Sequence, residues 1–181
     1  MTTLQRLRAV LLDEGEPIAG ALRDQPTGPS GPGKLAASGP RAARDPAEYD
    51  LLVEAIYEGY LLHYARSRLF ETSDPNLALL AGDRLYALGL ERLVALGDID
   101  AVRELADVIS LCALLNSRGE DRSCGALWFA GARAVGFGAS AEHERVKSLL
   151  RAGDPAAGSA LAVLGAGRPA PAELTEPHPL A

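Results

Sequence analysis

The sequence predicts an all-α fold, an antiparallel helical bundle, and three observations support this. Alanine and leucine, the strongest helix formers, dominate a composition that is 48% hydrophobic and only 5% aromatic. Few residues favour strands. Apolar residues recur at helical spacing in several stretches, and short connections separate those stretches, which is typical of helices packed side by side.

The bundle domain is expected at residues 45–165, where capping residues indicate the helix starts. Asp45-Pro46-Ala47-Glu48 supplies an N-cap, a proline at the first helical position and an acidic residue at the third. Gly153 is expected to end a later helix. About six helices fit into this region, and the other N-cap candidates are Asp74, Asp98 or Asp100, Ser140 and Asp154.

The flanking segments have different compositions. Residues 1–24 predict an N-terminal amphipathic helical segment, because apolar residues recur there at helical spacing. Residues 25–44 are rich in glycine and proline and predict a flexible linker. Residues 166–181 have a similar composition and predict a disordered tail.

Composition and charge argue against several classes of function. The net charge is −6 and the pI about 5.1, without a cluster of Lys and Arg, so nucleic acid is not an expected partner. The two cysteines, Cys112 and Cys124, are too few for a disulfide framework or a cysteine zinc site. No stretch approaches the ~18–20 apolar residues of a transmembrane helix, and we expect a cytoplasmic protein.

Two stretches carry a resemblance to a known family. Residues 76–88 read NLALLAGDRLYAL, and residues 125–140 read GALWFAGARAVGFGAS. They resemble, in order and separation, helices of the trans-polyprenyl diphosphate synthases, all-helical enzymes that build linear isoprenoid chains. The resemblance covers roughly residues 50–150 and implies a truncated isoprenoid synthase fold.

The motifs on which that family's catalysis depends are missing. Family members carry an aspartate-rich motif directly after a histidine, and its three aspartates fall here on Tyr64, Ala65 and Arg68, after His63. In the family those carboxylates hold Mg²⁺ against the diphosphate leaving group. The arginine-rich loop is also absent, and the second aspartate-rich motif would lie beyond Leu150. The chain is therefore expected to bind no cofactor, and any Mg²⁺ would be bound by a catalytic partner.

The expected function follows from this combination of family helices and lost motifs. The chain resembles the small, non-catalytic component of heterodimeric heptaprenyl diphosphate synthase, which implies that it helps to form the elongation cavity and to set product length. The implied partner is a full-length catalytic polyprenyl diphosphate synthase chain. Two alternatives stay open: a stand-alone protein that binds an isoprenoid or another lipid, and a structural homodimer without catalytic activity.

The resemblance also supplies candidate site residues. The helix expected from Asp74 to Gly97 is the candidate cavity wall, and its residues are considered together with the preceding histidine: Leu80, Asp83, Leu85, Tyr86 and His63. Candidates for a partner interface are Arg66, Arg68, Trp128 and Phe129. Each has an ordinary alternative, which is helix packing for the apolar residues and a solvated surface for the arginines. A metal site is not expected, because the bundle contains only two histidines, without a nearby cysteine.

Overall fold

A computed structural model describes residues 1–165, and this part of the chain is all-α. It contains eight α-helices: α1 (Thr3–Leu12), α2 (Gly33–Ala37), α3 (Pro46–Tyr64), α4 (Pro75–Ala95), α5 (Ile99–Ser117), α6 (Cys124–Phe137), α7 (Ala141–Ala152) and α8 (Ala157–Gly165). Short 3-10 turns lie at Ala19–Ala21, Pro40–Ala42 and Asp121–Ser123. Within residues 1–165 there is no strand, and no helix has the length and apolarity to cross a membrane. The predicted disordered tail lies outside the described residues.

The helix starts follow the predicted capping signals. Asp45 accepts a hydrogen bond from the backbone N–H of Glu48, and Pro46 occupies the first turn of α3. Asp74, Asp98 and Ser140 cap α4, α5 and α7 in the same manner. Each such cap contributes about 1 kcal/mol to helix stability. The six helices from α3 to α8 match the number predicted for residues 45–165.

Helix α3 is the centre of the fold. Nearly all of its residues from Tyr49 to Leu62 are buried, because α1, α2, α4 and α5 all pack against it. A helix surrounded in this way does not need a polar face. Two cores lie on its opposite sides. The first contains Leu52, Ile56 and Trp128, and the second contains Leu51, Ala55 and Leu85.

The segment 25–44 departs from the expected flexible linker. It forms α2 and the turn Pro40–Ala42, and both pack against α6, while α2 also packs against α3. Ala36 and Ala42 are fully buried. The glycines of this segment permit close approach of backbones rather than flexibility. A Cβ added at Gly39 would overlap the carbonyl group of Gly136, and one added at Gly136 would overlap the carbonyl of Ala36.

This packing predicts a large difference between two glycine substitutions. Gly136→Ala should destabilise the protein by about 1–3 kcal/mol or more, because the backbone of α2 must move away from α6. Gly158→Ala is the control, because a Cβ at Gly158 of α8 meets nothing within 4 Å. That change should be neutral or slightly stabilising. Urea unfolding of both variants measures the difference, and equal stabilities would contradict the packed position of residues 33–42.

Aromatic rings fill the first core between α3 and α6. The ring of Trp128 lies 5.4 Å from that of Tyr57 and 5.5 Å from that of Tyr60. Burial raises the pKa of Tyr57 to about 12. Burial and a hydrogen bond to Asp98 likewise raise the pKa of Tyr49 to about 12. Burial also raises the pKa of the other three tyrosines, Tyr60, Tyr64 and Tyr86.

The tyrosines predict a loss of stability in alkali. Their folded-state pKa values lie above the ordinary value of 10.0, so the stability that they support is fully present below pH 10 and is lost as the pH rises towards 12. Between pH 10 and pH 12, each tyrosine that is protonated in the folded state and ionised in the unfolded state lowers the free energy of unfolding by about 1.4 kcal/mol per pH unit. Tyrosinate absorbance should therefore rise in one cooperative step, together with unfolding. A gradual titration of the folded protein around pH 10, as expected in denaturant, would contradict this.

Candidate functional site

The outer sides of α4 and α5 form an apolar surface, which we call the α4–α5 face. On α4 it includes Leu79, Leu80 and Val94, which are 46%, 53% and 52% exposed. On α5 it begins at Ile99, which is 44% exposed. The face is completed by partly or fully exposed residues at helical spacing: Asp83, Tyr86, Ala87 and Leu90 on α4, and Val102, Ala106, Ile109 and Ala113 on α5.

Charged residues lie along both sides of the α4–α5 face, and few lie within it. The side chain of Arg84 extends from α4 towards the end of α1, where it pairs with Glu14 at 2.6 Å. The side chain of Asp107 extends from α5 towards α7, where it pairs with Lys147 and Arg151. Asp83 is the one charged residue within the face as defined. The exposed Glu91 and Arg103 also adjoin the face, so it is a stripe of apolar residues between flanking charges.

His63, Asp83 and Tyr86 meet at one edge of this face, where α3 ends. The Nε2 atom of His63 lies 3.2 Å from Oδ1 of Asp83, but the two groups are not aligned for a hydrogen bond. The imidazole stacks on the ring of Tyr86 with centroids 5.2 Å apart. The absence of a side chain at Gly82 makes room for the imidazole.

The other cavity-wall candidates on α4 separate. Leu80 is exposed, whereas Leu85 is fully buried in the second core. Leu85 therefore packs against α3 and does not lie on the outer surface with Leu80. The two residues lie on different sides of α4, because five positions correspond to about 1.4 helical turns and so point in different directions from the helix axis.

Two of the four partner-interface candidates are buried inside the protein, which corrects that expectation. Trp128 is completely buried among the tyrosines of the first core. Arg68 is only 9% exposed because its guanidinium pairs with two carboxylates of α3. Arg66 is exposed and Phe129 is half-buried, so these two lie nearer the surface.

The Arg68 cluster is a buried ionic network that the sequence analysis missed. Arg68 donates from Nε to Glu58 at 2.5 Å and from Nη2 to Glu54 at 2.6 Å, and Ser67 also donates to Glu58. Burial raises the pKa of Glu54, against the opposing effects of Arg68 and the backbone N–H of Gly33. Two carboxylates share one guanidinium, so the attraction of Arg68 does not fully offset the desolvation of Glu54.

A second buried cluster joins α5 to α7. Lys147 is 3% exposed, and its ammonium contacts Glu104 at 2.7 Å, Glu144 at 2.9 Å and Asp107 at 3.0 Å. The Nε2 atom of His143 lies 2.7 Å from the other oxygen of Glu104. Burial acts to raise the pKa of Asp107, but hydrogen bonds from Lys147 and Arg151 outweigh it, and the pKa is lowered.

An open cavity of about 490 Å³ adjoins this cluster, between α5, the end of α6 and α7. Glu104, His143 and Glu144 place three potential metal-ligand atoms within 4.8 Å of one another. The ammonium of Lys147 already neutralises both carboxylates there, in the position that a cation would take. We therefore interpret the cluster as a structural link between α5 and α7.

Comparison with known proteins adds no relative. The chain matches no protein-family model, no curated protein and no solved structure. The functional argument therefore depends on the residues and on their geometry.

Simple sequence signals accompany both buried clusters. Glu54 and Glu58 are four residues apart, in a helix that is otherwise apolar around them, and His143 and Lys147 have the same spacing. Residues at this spacing share one face of a helix. An acidic pair within an apolar helix indicates a buried cationic partner, but the spacing does not identify that partner.

The α5–α7 cluster yields a stability prediction. Lys147→Met should destabilise the protein by about 3 kcal/mol, because it leaves the carboxylate of Glu104 buried without a cation. Adding Glu104→Gln should restore part of the loss. Arg145→Met is the control on the same helix, because Arg145 pairs only with an exposed glutamate, and it should cause no measurable change. A double-mutant cycle in urea measures the coupling, and additive effects would contradict the link.

Proposed function

We propose that this protein is a non-catalytic subunit that binds a full-length polyprenyl diphosphate synthase, helping to form its elongation cavity and to set product length. The observation that carries the proposal is the α4–α5 face. Its first part, on α4, overlaps the stretch of residues 76–88 that resembles the synthase family. Exposed apolar residues grouped on one surface are typical of a protein–protein interface.

The missing catalytic motif supports a role without catalysis by this chain alone. At the position of the family's third aspartate the chain has Arg68, whose guanidinium pairs with Glu54 and Glu58 in the interior. The segment after α3 therefore contributes to the core rather than to a metal site. On this proposal the Mg²⁺ ions and the diphosphate are bound by the partner chain.

His63 and Asp83 supply a polar contact within the proposed interface. Asp83 is 73% exposed on its side chain and lies among apolar neighbours. A single charged residue in such a surface contributes more to orientation than to affinity, because a partner that offers it no donor must desolvate it without compensation. Leu80 and Val94, on either side of Asp83 along α4, provide apolar area for burial.

Co-expression with a full-length synthase from the same genome, with intact aspartate-rich motifs, tests the proposal. We expect the two chains to co-purify, and an allylic diphosphate to be extended only by the pair or to a different length by the pair. A partner that is fully active alone and never co-purifies would contradict the proposal. Homodimerisation or binding of an isoprenoid would then be the alternative to measure, by sedimentation and by lipid extraction.

A double variant on the α4–α5 face, compared with a single control variant outside it, tests whether this face binds the synthase. Leu80→Glu combined with Val94→Glu should weaken association with the synthase at least tenfold, since burying two carboxylates costs well over the 1.4 kcal/mol that a factor of ten requires. Leu12→Glu is the control, because Leu12 on α1 is similarly exposed at 43% but lies outside the α4–α5 face. Equal affinities for the two proteins would exclude this face while leaving the subunit role open.

A further inference from the structure

The fold brings the chain's two cysteines together. Cys112 lies near the end of α5 and Cys124 is the first residue of α6, so the turn between the helices closes them into one site. The thiol of Cys124 donates a hydrogen bond to the carbonyl oxygen of Cys112 at 3.8 Å, so the two residues are in direct contact. Both side chains are fully buried and unpaired by any disulfide.

Polar groups surround the sulfur of Cys124. The Nδ2 atom of Asn116 donates to it at 3.5 Å, and the Cys112 thiol and the Tyr60 hydroxyl lie close to it. The first turn of α6 adds the positive end of a helix dipole. The Cys112 thiol contributes most to lowering the pKa of Cys124, and burial raises the pKa of Cys112. Of the two sulfurs, Cys124 is therefore the one that loses its proton more readily.

We propose that Cys112 and Cys124 are a peroxide-sensitive pair that forms a reversible disulfide between α5 and α6. The thiolate of Cys124 attacks one oxygen of hydrogen peroxide, the O–O bond breaks, and the departing hydroxide takes a proton to become water. Cys124 is then a sulfenic acid. The sulfur of Cys112 attacks it, the S–O bond breaks, and a second water leaves with the Cys112 proton. Two thiols are oxidised and one peroxide is reduced to two waters.

Access to the pair depends on the turn that covers it. Residues 117–120 are all exposed, and Arg122 beyond them is exposed as well. Opening of this short turn admits peroxide without unfolding the remaining helices, in the way that exposed segments open locally in other proteins. The disulfide then fixes the turn, so the oxidised protein should have a thermal midpoint higher by roughly 5 °C or more.

The chain contains a built-in reporter for this reaction. Trp128 is its only tryptophan and lies one helical turn after Cys124 on α6. Its ring is 5.5 Å from that of Tyr60, whose hydroxyl lies close to Cys124. A disulfide formed at Cys124 should quench the tryptophan fluorescence, and dithiothreitol should restore it.

The test uses the full reduced chain treated with hydrogen peroxide under native conditions. We expect the intact mass to fall by two hydrogen atoms, the thiols titrated after unfolding to fall from two to none, and reduction to reverse both changes. A native protein that keeps both thiols, while the urea-unfolded chain is oxidised, would show that the cysteines only fill space. Disulfide-linked dimers instead of an internal bond would also overturn the proposal.

Two serine variants assign the roles. With Cys112→Ser, Cys124 should stop at the sulfenic acid, which dimedone traps. With Cys124→Ser, Cys112 is the matched control and should be labelled at least tenfold more slowly. Equal labelling of the two variants would overturn the assignment of Cys124 as the attacking sulfur. The mass change of the unaltered chain decides the disulfide itself, even where a variant fails to fold.

Discussion

The constraint on which the fold depends is the neutralisation of two carboxylates inside a helix that is buried on every side. Glu54 and Glu58 lie on α3, where solvent cannot stabilise their charge. Arg68 contacts both, and its guanidinium also lies 5.0 Å from the ring centroid of Tyr57. Desolvation by burial raises the pKa of the Glu54 carboxyl, and the charge of Arg68 opposes this effect.

This requirement explains why the segments around α3 are ordered. Arg68 also donates to the carbonyl of Pro29, and the backbone N–H of Gly33 donates to Glu54. The glycine- and proline-rich segment thus satisfies buried charges of α3, while its small residues approach α6 at Gly136. No pattern within residues 25–44 predicts these contacts, because the partner residues lie far away in sequence. Composition alone therefore favoured a linker, and tertiary contacts decided otherwise.

The features that the sequence predicted well are those set by neighbouring residues. The caps at Asp45, Asp74 and Ser140 and the all-α class depend on local backbone chemistry. The candidate site was predictable only in part. The stripe on α4 placed Leu80 and Asp83 together, but whether such a stripe faces the core or the solvent depends on what packs against it. For that reason Leu85 was named as a candidate for a cavity wall, and Trp128 and Arg68 as candidates for a partner interface, and all three are buried.

The same constraint bears on the proposed loss of catalysis. An aspartate at position 68 would put a third carboxylate beside Glu54 and Glu58, without the cation that now neutralises them. Placing a metal-binding acid there would thus require compensating changes on α3, because three desolvated carboxylates repel one another. Arg68 and the two glutamates form one interacting cluster, so an acid at this position is not tolerated as a single substitution. The interior of the protein therefore has no place for an acidic motif here, which supports the proposal of a subunit that acts through a catalytic partner.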